Sequence, residues 1–237
     1  MSKHGTIRER RRKERQRRRT IGMAATGLIA VLLAGLLAWP SVKPIGEIET
    51  APTYQRPMVD RTALGPEEAA VLVEEYADFQ CSSCRVFAEG AERELVDAVI
   101  PGGKVRFVFR NYTILGNESM QAANASLCAA EQDKFWEYHD ILFANQSGRE
   151  SGAFSDRRLI AYSETTGLDV AAFEFCYRES KYQDTIDQDN AAARTAGLTG
   201  TPAVLVNGKL IAPGFVPTFE VLQQEVELAL QGSAANP

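Results

Sequence analysis

Histidine is scarce in this chain: the 237 residues include only His4 and His139. A catalytic zinc site with three histidine ligands is therefore excluded. A serine or cysteine protease triad would have to use His139 as its base.

Basic residues are also scarce once the first twenty positions are passed. Residues 1–20 hold ten of the 26 Lys and Arg, against only Glu9 and Glu14. The rest of the chain has 16 basic and 29 acidic residues, a net charge of −13. Because binding to a phosphate backbone depends on Lys and Arg, this acidic body is not expected to bind nucleic acid.

A run of nineteen residues without charge follows the basic segment, from Ile21 to Trp39. As a helix it would be about 28 Å long, which nearly matches the hydrocarbon core of a bilayer. The positive-inside rule predicts that residues 1–20 form a cytoplasmic tail, residues 21–39 an anchor in the lipid bilayer, and the rest an extracytoplasmic region. A cleaved signal peptide is the alternative, but the run exceeds the usual apolar region and no good cleavage site follows it. We therefore expect a single-pass protein of the cell membrane.

The segment after the anchor is rich in proline and lacks a sustained apolar period. Five of the ten prolines lie at positions 40, 44, 52, 57 and 66. This composition predicts an extended linker over residues 40–59. The length of the chain allows one core of ordinary size, which we place at residues 60–232, with a frayed tail at 233–237.

The folded part begins with a strand, a helix and a second strand, predicted over residues 69–79, 85–99 and 104–112. This βαβ order favours a parallel pair of strands. Residues 201–214 predict two further strands joined by an Asn-Gly turn, and a final helix follows over 218–230.

Residues 117–197 show almost no strand signal, and five amphipathic helices are expected there: 118–131, 135–145, 155–166, 170–178 and 182–196. The predicted fold class is therefore α/β. It is a thioredoxin-like fold with an all-helical insertion between the second and third core strands, preceded by one N-terminal transmembrane helix.

Cys81 and Cys84 carry the predicted chemistry, because they lie between a buried strand and the first turn of a helix. The positive end of a helix stabilises a thiolate, so the thiol nearer the helix start ionises more readily than an ordinary cysteine. We assign Cys81 as the attacking thiol and Cys84 as the thiol that resolves the mixed disulfide. An inert surface disulfide is one alternative. Half of a zinc site is another, but no metal site is expected because Cys128 and Cys176 are not paired in knuckles.

Two further positions are candidates for the same site. Glu75 lies six residues before Cys81, where a buried carboxyl could exchange a proton with Cys84, whereas Glu74 should face the other side of the strand. The Thr201-Pro202 pair precedes a strand, so the proline marks either a sheet edge or a cis bond. A cis bond would leave Thr201 backbone groups free to pair with a substrate chain.

The remaining cysteines, Cys128 and Cys176, are expected to form a structural disulfide if the region is extracytoplasmic and oxidising. Such a bridge would close a loop of about 49 residues and stabilise the fold by about 4 kcal/mol in the chain-entropy account. Two separate buried thiols are the alternative.

The sequence resembles the bacterial membrane-anchored DsbA-like thiol:disulfide oxidoreductases of the thioredoxin superfamily over roughly residues 60–230. The residues that carry the resemblance are VEEYADFQCSSC, AANASLCAAEQDKFWEYHDILF, FEFCYRES with the following Tyr-x-x-x-Ile-x-x-Asp run, and GLTGTPAVLVNG. The resemblance implies that Cys81 is the nucleophile, Cys84 the resolving thiol and Glu75 the buried acid. It also implies a cis bond at Thr201-Pro202, and family members with cysteines at the positions of Cys128 and Cys176 resemble ones with an extra structural bridge.

The resemblance further implies an enzyme without a cofactor that introduces disulfides into exported proteins with free cysteines. Its reoxidising partner would be a quinone-linked membrane protein, DsbB-like or VKOR-like. A reductase or isomerase of the same fold is the alternative, followed by a non-catalytic binding module tethered to the membrane. DsbA-like proteins usually have Pro plus His, Tyr or Trp between the cysteines, whereas this chain has Ser82 and Ser83. Because serine supplies no positive charge, we expect a less oxidising couple than in the strongest oxidases.

Overall fold

The computed structural model describes the backbone of residues 3–42, 44–52 and 54–234, so the predicted tail at 233–237 lies mostly outside the described residues. Side chains are described over the same ranges except at 3–11, 37–42 and 234. The chain divides into two compact units, Met1–Gly46 and Glu47–Pro237, which are described separately here.

The N-terminal unit contains one helix, α1 (Lys3–Val42), within the described chain. Its segment Arg12–Leu36 is long and apolar enough to cross a membrane by length and composition, and none of that segment is buried against protein. The predicted anchor at 21–39 lies inside α1. The helix continues through Pro40, where we expected the linker to start.

The second unit is built on one mixed sheet, whose six strands have the spatial order β1-β2-β4-β3-β5-β6. The strands are β1 (Val59–Asp60), β2 (Ala63–Leu64), β3 (Val71–Ala77), β4 (Val105–Asn111), β5 (Ala203–Val206) and β6 (Lys209–Ile211). Strands β3 and β4 are parallel and the other neighbours are antiparallel, which confirms the predicted βαβ unit. Strand β3 lies at the centre of the sheet and leads directly to Cys81.

Eight α-helices follow α1 in the described part of the chain, besides a short 3-10 helix at Ile100–Gly102. They are α2 (Ser82–Glu89), α3 (Ala91–Ala98), α4 (Asn117–Ala130), α5 (Phe135–Ala144), α6 (Asp156–Thr165), α7 (Val170–Arg178), α8 (Gln183–Thr195) and α9 (Phe219–Ala234). Helices α4 to α8 form the insertion between β4 and β5, which confirms the predicted helical insert. The thioredoxin-like fold class is therefore confirmed.

The main core lies between one face of the sheet and the helices, and it is rich in aromatic rings. Phe79 stacks on Phe109 with ring centroids 5.2 Å apart, and Phe143 lies 5.1 Å from Phe79. Phe107 packs against Trp136 of the insert at 6.0 Å. Some of these rings come from the sheet and the segment after β3, and the others come from α5. Their burial against one another joins the insert to the thioredoxin-like core.

The predicted linker over residues 40–59 is wrong at its C-terminal end, because residues from Glu47 onward belong to the folded unit. The amide of Glu49 donates to Asn145 and its carbonyl accepts from the same side chain. The Tyr54 hydroxyl contacts Arg93 and Asp97 of α3. The proline-rich composition predicted an extended segment that is free of the domain. Extended backbone can instead pack on a protein surface when its amides find hydrogen-bond partners there.

Two local features also differ from expectation. Strands β1 and β2 were not predicted, because each has only two residues: β1 pairs with β2, and β2 pairs with β4 in a long-range contact. The single helix expected over 85–99 is interrupted at Gly90, whose backbone angles of φ −115° and ψ −101° lie outside the helical region. Glycine reaches such angles at little steric cost.

Candidate active site

The dithiol lies at the junction between the central strand and α2, as the sequence predicted. Cys81 is the N-cap residue of α2, and its amide donates to the Asp78 carbonyl at 2.9 Å. Cys81 is partly exposed, whereas Cys84, one turn along, is fully buried; both are free thiols in this structure. The motif therefore presents one sulfur to solvent and keeps the other in the core.

The environment of Cys81 favours its thiolate. A hydrogen bond with Cys84 lowers the pKa of Cys81 to about 6 from an ordinary value of 9.0, and the Thr201 side chain and the amides of Ser83 and Cys84 act in the same direction. Partial burial opposes this shift. In the thiol form, the Cys81 sulfur donates instead to the Thr201 carbonyl at 3.3 Å. Of the two serines in the motif, Ser83 helps to lower the pKa of Cys81 through its backbone amide, and neither supplies a positive charge.

Cys84 has the opposite tendency. Burial raises its pKa well above 9.0, and the hydrogen bond with Cys81 and the negative charge of Glu75 act in the same direction. The two sulfurs are thus unequal: near neutral pH the outer one ionises and the inner one keeps its proton. This asymmetry suits an exchange reaction, because the outer sulfur can attack or leave while the inner one is protonated.

Glu75 lies on β3 beneath the dithiol and is completely buried. Neither of its carboxyl oxygens has a hydrogen-bond partner among the described residues. Burial raises the pKa of Glu75 well above 4.5, and the nearby Glu92 and Cys81 charges raise it further. The neighbouring Glu74 is on the other face of the sheet, where Arg110 binds it at 3.1 Å. Of the two acids, Glu75 is the one with a proton to exchange in the core.

The Thr201-Pro202 peptide bond is cis and lies against Cys81. Beside it is a cavity of about 510 Å³ lined by Ser83, Thr201, Pro202, Phe215 and Val216, among others. The ring of Phe215 is 77% exposed. An open groove with an apolar wall therefore lies beside Thr201, whose carbonyl contacts the Cys81 sulfur.

Cys128 on α4 and Cys176 on α7 form a disulfide, with the sulfur atoms 2.06 Å apart. They are buried within the insert and are remote from the dithiol in the sequence. With these two sulfurs bonded to each other, a four-cysteine zinc site is not available.

A group of buried charged residues that the sequence did not indicate lies in the core of the same unit. Arg56 makes two hydrogen bonds to Asp140, at 2.7 and 2.8 Å, and one to Glu92 at 3.2 Å. His139 lies between Glu92 and Asp140. The His139 ring also contacts several aromatic rings. In the sequence, only the polar or charged character of Glu92, His139 and Asp140 on otherwise apolar helical faces could have indicated this group.

Comparison with known proteins places the chain in a family. Residues 58–225 match the family model described as "Thioredoxin". The chain is 27% identical to the "Probable disulfide bond formation protein D" of Bacillus anthracis, over 70% of this chain and 78% of that protein. It is 38% identical to the "Na(+)/H(+) antiporter NhaA 3" of Salinispora tropica over 61% of its length. The match covers 21% of that antiporter, so the chain spans only about a fifth of the antiporter's length.

Solved structures of thioredoxin-like proteins also match the chain. The thioredoxin-like oxidoreductase from Silicibacter pomeroyi matches with a TM-score of 0.61 and 31% identity, over 71% of this chain and 91% of that one. Oxidised BdbD from Bacillus subtilis matches with a TM-score of 0.66 and 24% identity, over 78% of this chain and all of that one, and so supports the fold. The chain belongs to the thioredoxin family matched by its residues 58–225. Within it, the chain is a DsbA-like thiol:disulfide oxidoreductase, as its cysteine motif and its relatives agree.

Proposed function

We propose that this enzyme introduces disulfides into exported proteins, using Cys81 as the attacking and accepting sulfur and Cys84 as the resolving sulfur. The observation that carries the proposal is the inequality of the two thiols: Cys81 is partly exposed with a pKa of about 6, and Cys84 is buried with a raised pKa. Stabilising the Cys81 thiolate stabilises the reduced enzyme, and a couple with a stable reduced form is a good oxidant.

The reaction starts from the Cys81–Cys84 disulfide. A substrate thiolate attacks the Cys81 sulfur, a new sulfur–sulfur bond forms, and the bond to Cys84 breaks with its electron pair on Cys84. A second substrate thiolate then attacks the substrate sulfur of this mixed disulfide and releases Cys81 as a thiolate. The substrate loses two electrons, and the enzyme gains them as the reduced dithiol.

Glu75 supplies the proton that the departing Cys84 sulfur needs. Burial raises the pKa of Glu75 well above 4.5 and so favours its protonated form, and the carboxyl lies in the same buried region as Cys84. The carboxyl returns to the acid form when the dithiol is reoxidised and Cys84 releases the proton.

Thr201 and Pro202 form the substrate-binding loop in this proposal. The contact between Cys81 and the Thr201 carbonyl places the loop next to the reacting sulfur. An extended substrate segment along the adjacent groove would bring its cysteine to Cys81 and its backbone to the loop.

We place the enzyme in the cell membrane, anchored through α1, with the basic N-terminus in the cytoplasm and the catalytic unit outside. The uncharged run over residues 21–39 and the basic residues before it support this orientation. A quinone-linked membrane protein, DsbB-like or VKOR-like, would reoxidise the dithiol. A membrane-impermeant maleimide applied to intact cells that carry the chain with Cys81→Ala and Cys84→Ala tests the topology: a cysteine introduced at exposed Gln55 should be labelled, and one introduced at position 5 should not. The reverse pattern would overturn the orientation.

A trapping experiment tests the activity. In the full-length chain, Cys84→Ala should accumulate mixed disulfides with exported proteins through Cys81, because the resolving sulfur is missing. The double variant that also has Cys81→Ala is the matched control and should accumulate none. Absence of trapped proteins in the single variant would favour a non-catalytic binding module.

The redox state of the pair in the native membrane tests the direction. An oxidised Cys81–Cys84 pair agrees with a disulfide donor, whereas a reduced pair indicates a reductase or isomerase. Acid quenching followed by alkylation and mass spectrometry distinguishes the two states.

A further inference from the structure

The turn between β3 and α2 is held by hydrogen bonds that the exchange reaction described above does not use. It consists of Asp78, Phe79 and Gln80, which come directly before Cys81. Asp78 is 1% exposed and Gln80 is 4% exposed. Because a buried polar group is costly unless its hydrogen bonds are made, both side chains are expected to have partners in the core.

The Asp78 carboxylate accepts four hydrogen bonds. One oxygen accepts from the amide of Gln80 at 2.8 Å and from the hydroxyl of Ser119 at 2.6 Å. The other oxygen accepts from the amides of Ile114 and Leu115, at 2.9 and 3.0 Å. Ser119 lies on α4, and residues 114 and 115 lie between β4 and α4. Asp78 therefore joins its own turn to the start of the helical insert.

The insert also contacts the other two residues of the turn. The Phe79 carbonyl accepts from the side chain of Gln146, which follows α5. The Gln80 side chain donates to Ser119 at 2.8 Å and to Glu150 at 3.1 Å, and it accepts from the Glu150 amide. Each of the three residues of the turn is therefore bound by α4 or by the segment between α5 and α6.

Asp78 contacts both cysteines of the motif through its backbone. Its carbonyl accepts from the Cys81 amide at 2.9 Å. Burial raises the pKa of Cys84, and a hydrogen bond with the Asp78 backbone opposes that rise. A shift of Asp78 would therefore move the start of α2 relative to both sulfurs. The hydrogen bonds of Cys81 with the Cys84 sulfur and with the amides of Cys84 and Ser83, which lower the pKa of Cys81, depend on this alignment.

We propose that Asp78 is a positioning residue that holds Cys81 and Cys84 in the geometry that favours the Cys81 thiolate, and that Ser119 is its anchor in the helical insert. This inference rests on the proposed function. Asp78 is buried, so it does not contact the substrate, and in this role it exchanges no proton or electron. The insert thus acts on the dithiol through a side chain 41 residues from Asp78 along the chain.

The test measures the pH midpoint at which Cys81 ionises, by iodoacetamide alkylation of the reduced full-length chain between pH 4 and 10. Ser119→Ala removes one hydroxyl and changes no charge. A loosened turn should then raise the midpoint by about one unit, as expected for the loss of one hydrogen bond to a thiolate. Asp78→Asn replaces an acceptor oxygen by an amide group that faces donors, and should raise the midpoint at least as much. Loss of negative charge alone would lower the midpoint, so the direction of the shift separates positioning from charge.

The equilibrium between the full-length chain and glutathione is a second readout. If the midpoint rises by one unit from about 6, the equilibrium constant at pH 7 should move toward the oxidised chain by about fivefold, because the thiolate stabilises the reduced chain less. In the Asp78→Asn background, Ser119→Ala should have a smaller effect than in the wild type, because the two side chains share one hydrogen bond.

Ser126→Ala is the matched control, since Ser126 is also a buried serine of α4 but donates to the Ala123 carbonyl of its own helix. It should leave the midpoint and the glutathione equilibrium unchanged. Asn124→Ala controls for stability: it removes hydrogen bonds to the backbone of Tyr177 and Tyr182 within the insert. It should make urea unfolding easier without moving the Cys81 midpoint.

Three results would overturn this inference and leave the proposed function intact: no shift in Ser119→Ala, a lower midpoint in Asp78→Asn, or equal shifts in Ser119→Ala and Asn124→Ala. If Asp78→Asn fails to fold by circular dichroism, Ser119→Ala decides the matter. A wild-type midpoint near 9.0 would overturn both this inference and the proposed function.

Discussion

Replacing Cys84 by alanine should raise the pKa of Cys81, and this change tests the electrostatic basis of the site. The hydrogen bond with Cys84 is the largest of the contributions that lower the pKa of Cys81 from 9.0 to about 6. The Thr201 side chain and two backbone amides remain in Cys84→Ala. The midpoint should therefore rise by more than one unit and still stay below 9.0.

The size of the effect depends on what is measured. At pH 7, a thiol with a pKa of about 6 is roughly nine-tenths ionised, and one with a pKa of 9.0 is roughly one-hundredth ionised, a ratio of about 90. A thiolate of lower pKa is a weaker nucleophile, and over three units this costs about 15- to 30-fold in rate. The net gain in alkylation rate at pH 7 is therefore only several-fold. The midpoint of the pH profile, and not the rate at one pH, is the decisive quantity.

The assay is alkylation of the reduced full-length chain by iodoacetamide between pH 4 and 10. Cys84 is buried, and Cys128 and Cys176 are bonded to each other, so the signal should come from Cys81. Cys81→Ala gives the background. Cys84→Ser is the matched variant, since its hydroxyl can still donate to the thiolate, and its midpoint should lie between those of wild type and Cys84→Ala. A wild-type midpoint near 9.0, or one that Cys84→Ala leaves unchanged, would refute the reasoning.

The remaining predictions concern stability. Because burial raises the pKa of Glu75 above 4.5, its neutral form stabilises the fold at low pH and that stability is lost as pH rises toward the raised pKa; Glu75→Gln should remove this loss in thermal melts between pH 4 and 9, and an unchanged pH dependence would contradict it. Because the pKa of Cys81 is lowered, the reduced chain should gain stability over the oxidised chain as pH rises from about 6 to 9, and equal melting temperatures for the two forms across this range would argue against it. Arg56→Met leaves Glu92 and Asp140 without their partner and should cost about 3 kcal/mol or more in urea unfolding; a loss under about 1 kcal/mol would mean that these charges are solvated. Replacing both Cys128 and Cys176 by alanine should cost up to about 4 kcal/mol and leave the Cys81 midpoint in place, so a shifted midpoint would show that this bridge acts on the dithiol.

Most of the fold could be predicted from local patterns in the sequence. The period of apolar residues predicted all five helices of the insert to within a residue or two of α4 to α8, because each pattern is complete within one helix. The strand that leads into Cys81 and the parallel pairing of β3 with β4 were predicted for the same reason. Strands β1 and β2 were missed because two residues are too short to have a period, and β2 pairs with β4, more than forty residues along the chain.

The sequence by itself determined where the reactive sulfur lies and why it ionises, since a cysteine between a strand and a helix meets the helix N-terminus whatever the rest of the chain does. Glu75, on the strand that leads to the motif and six residues before Cys81, was a candidate for the same site from its spacing and from the family resemblance. Only the tertiary structure decided what surrounds that acid. Arg56 and Asp140 are 84 residues apart in sequence, and Glu92 and His139 come from different helices, so no local pattern relates them. Their meeting depends on how the segment before β1, α3 and α5 close over the sheet, and a stretch of prolines that predicted a free linker proved to bring an arginine into the core.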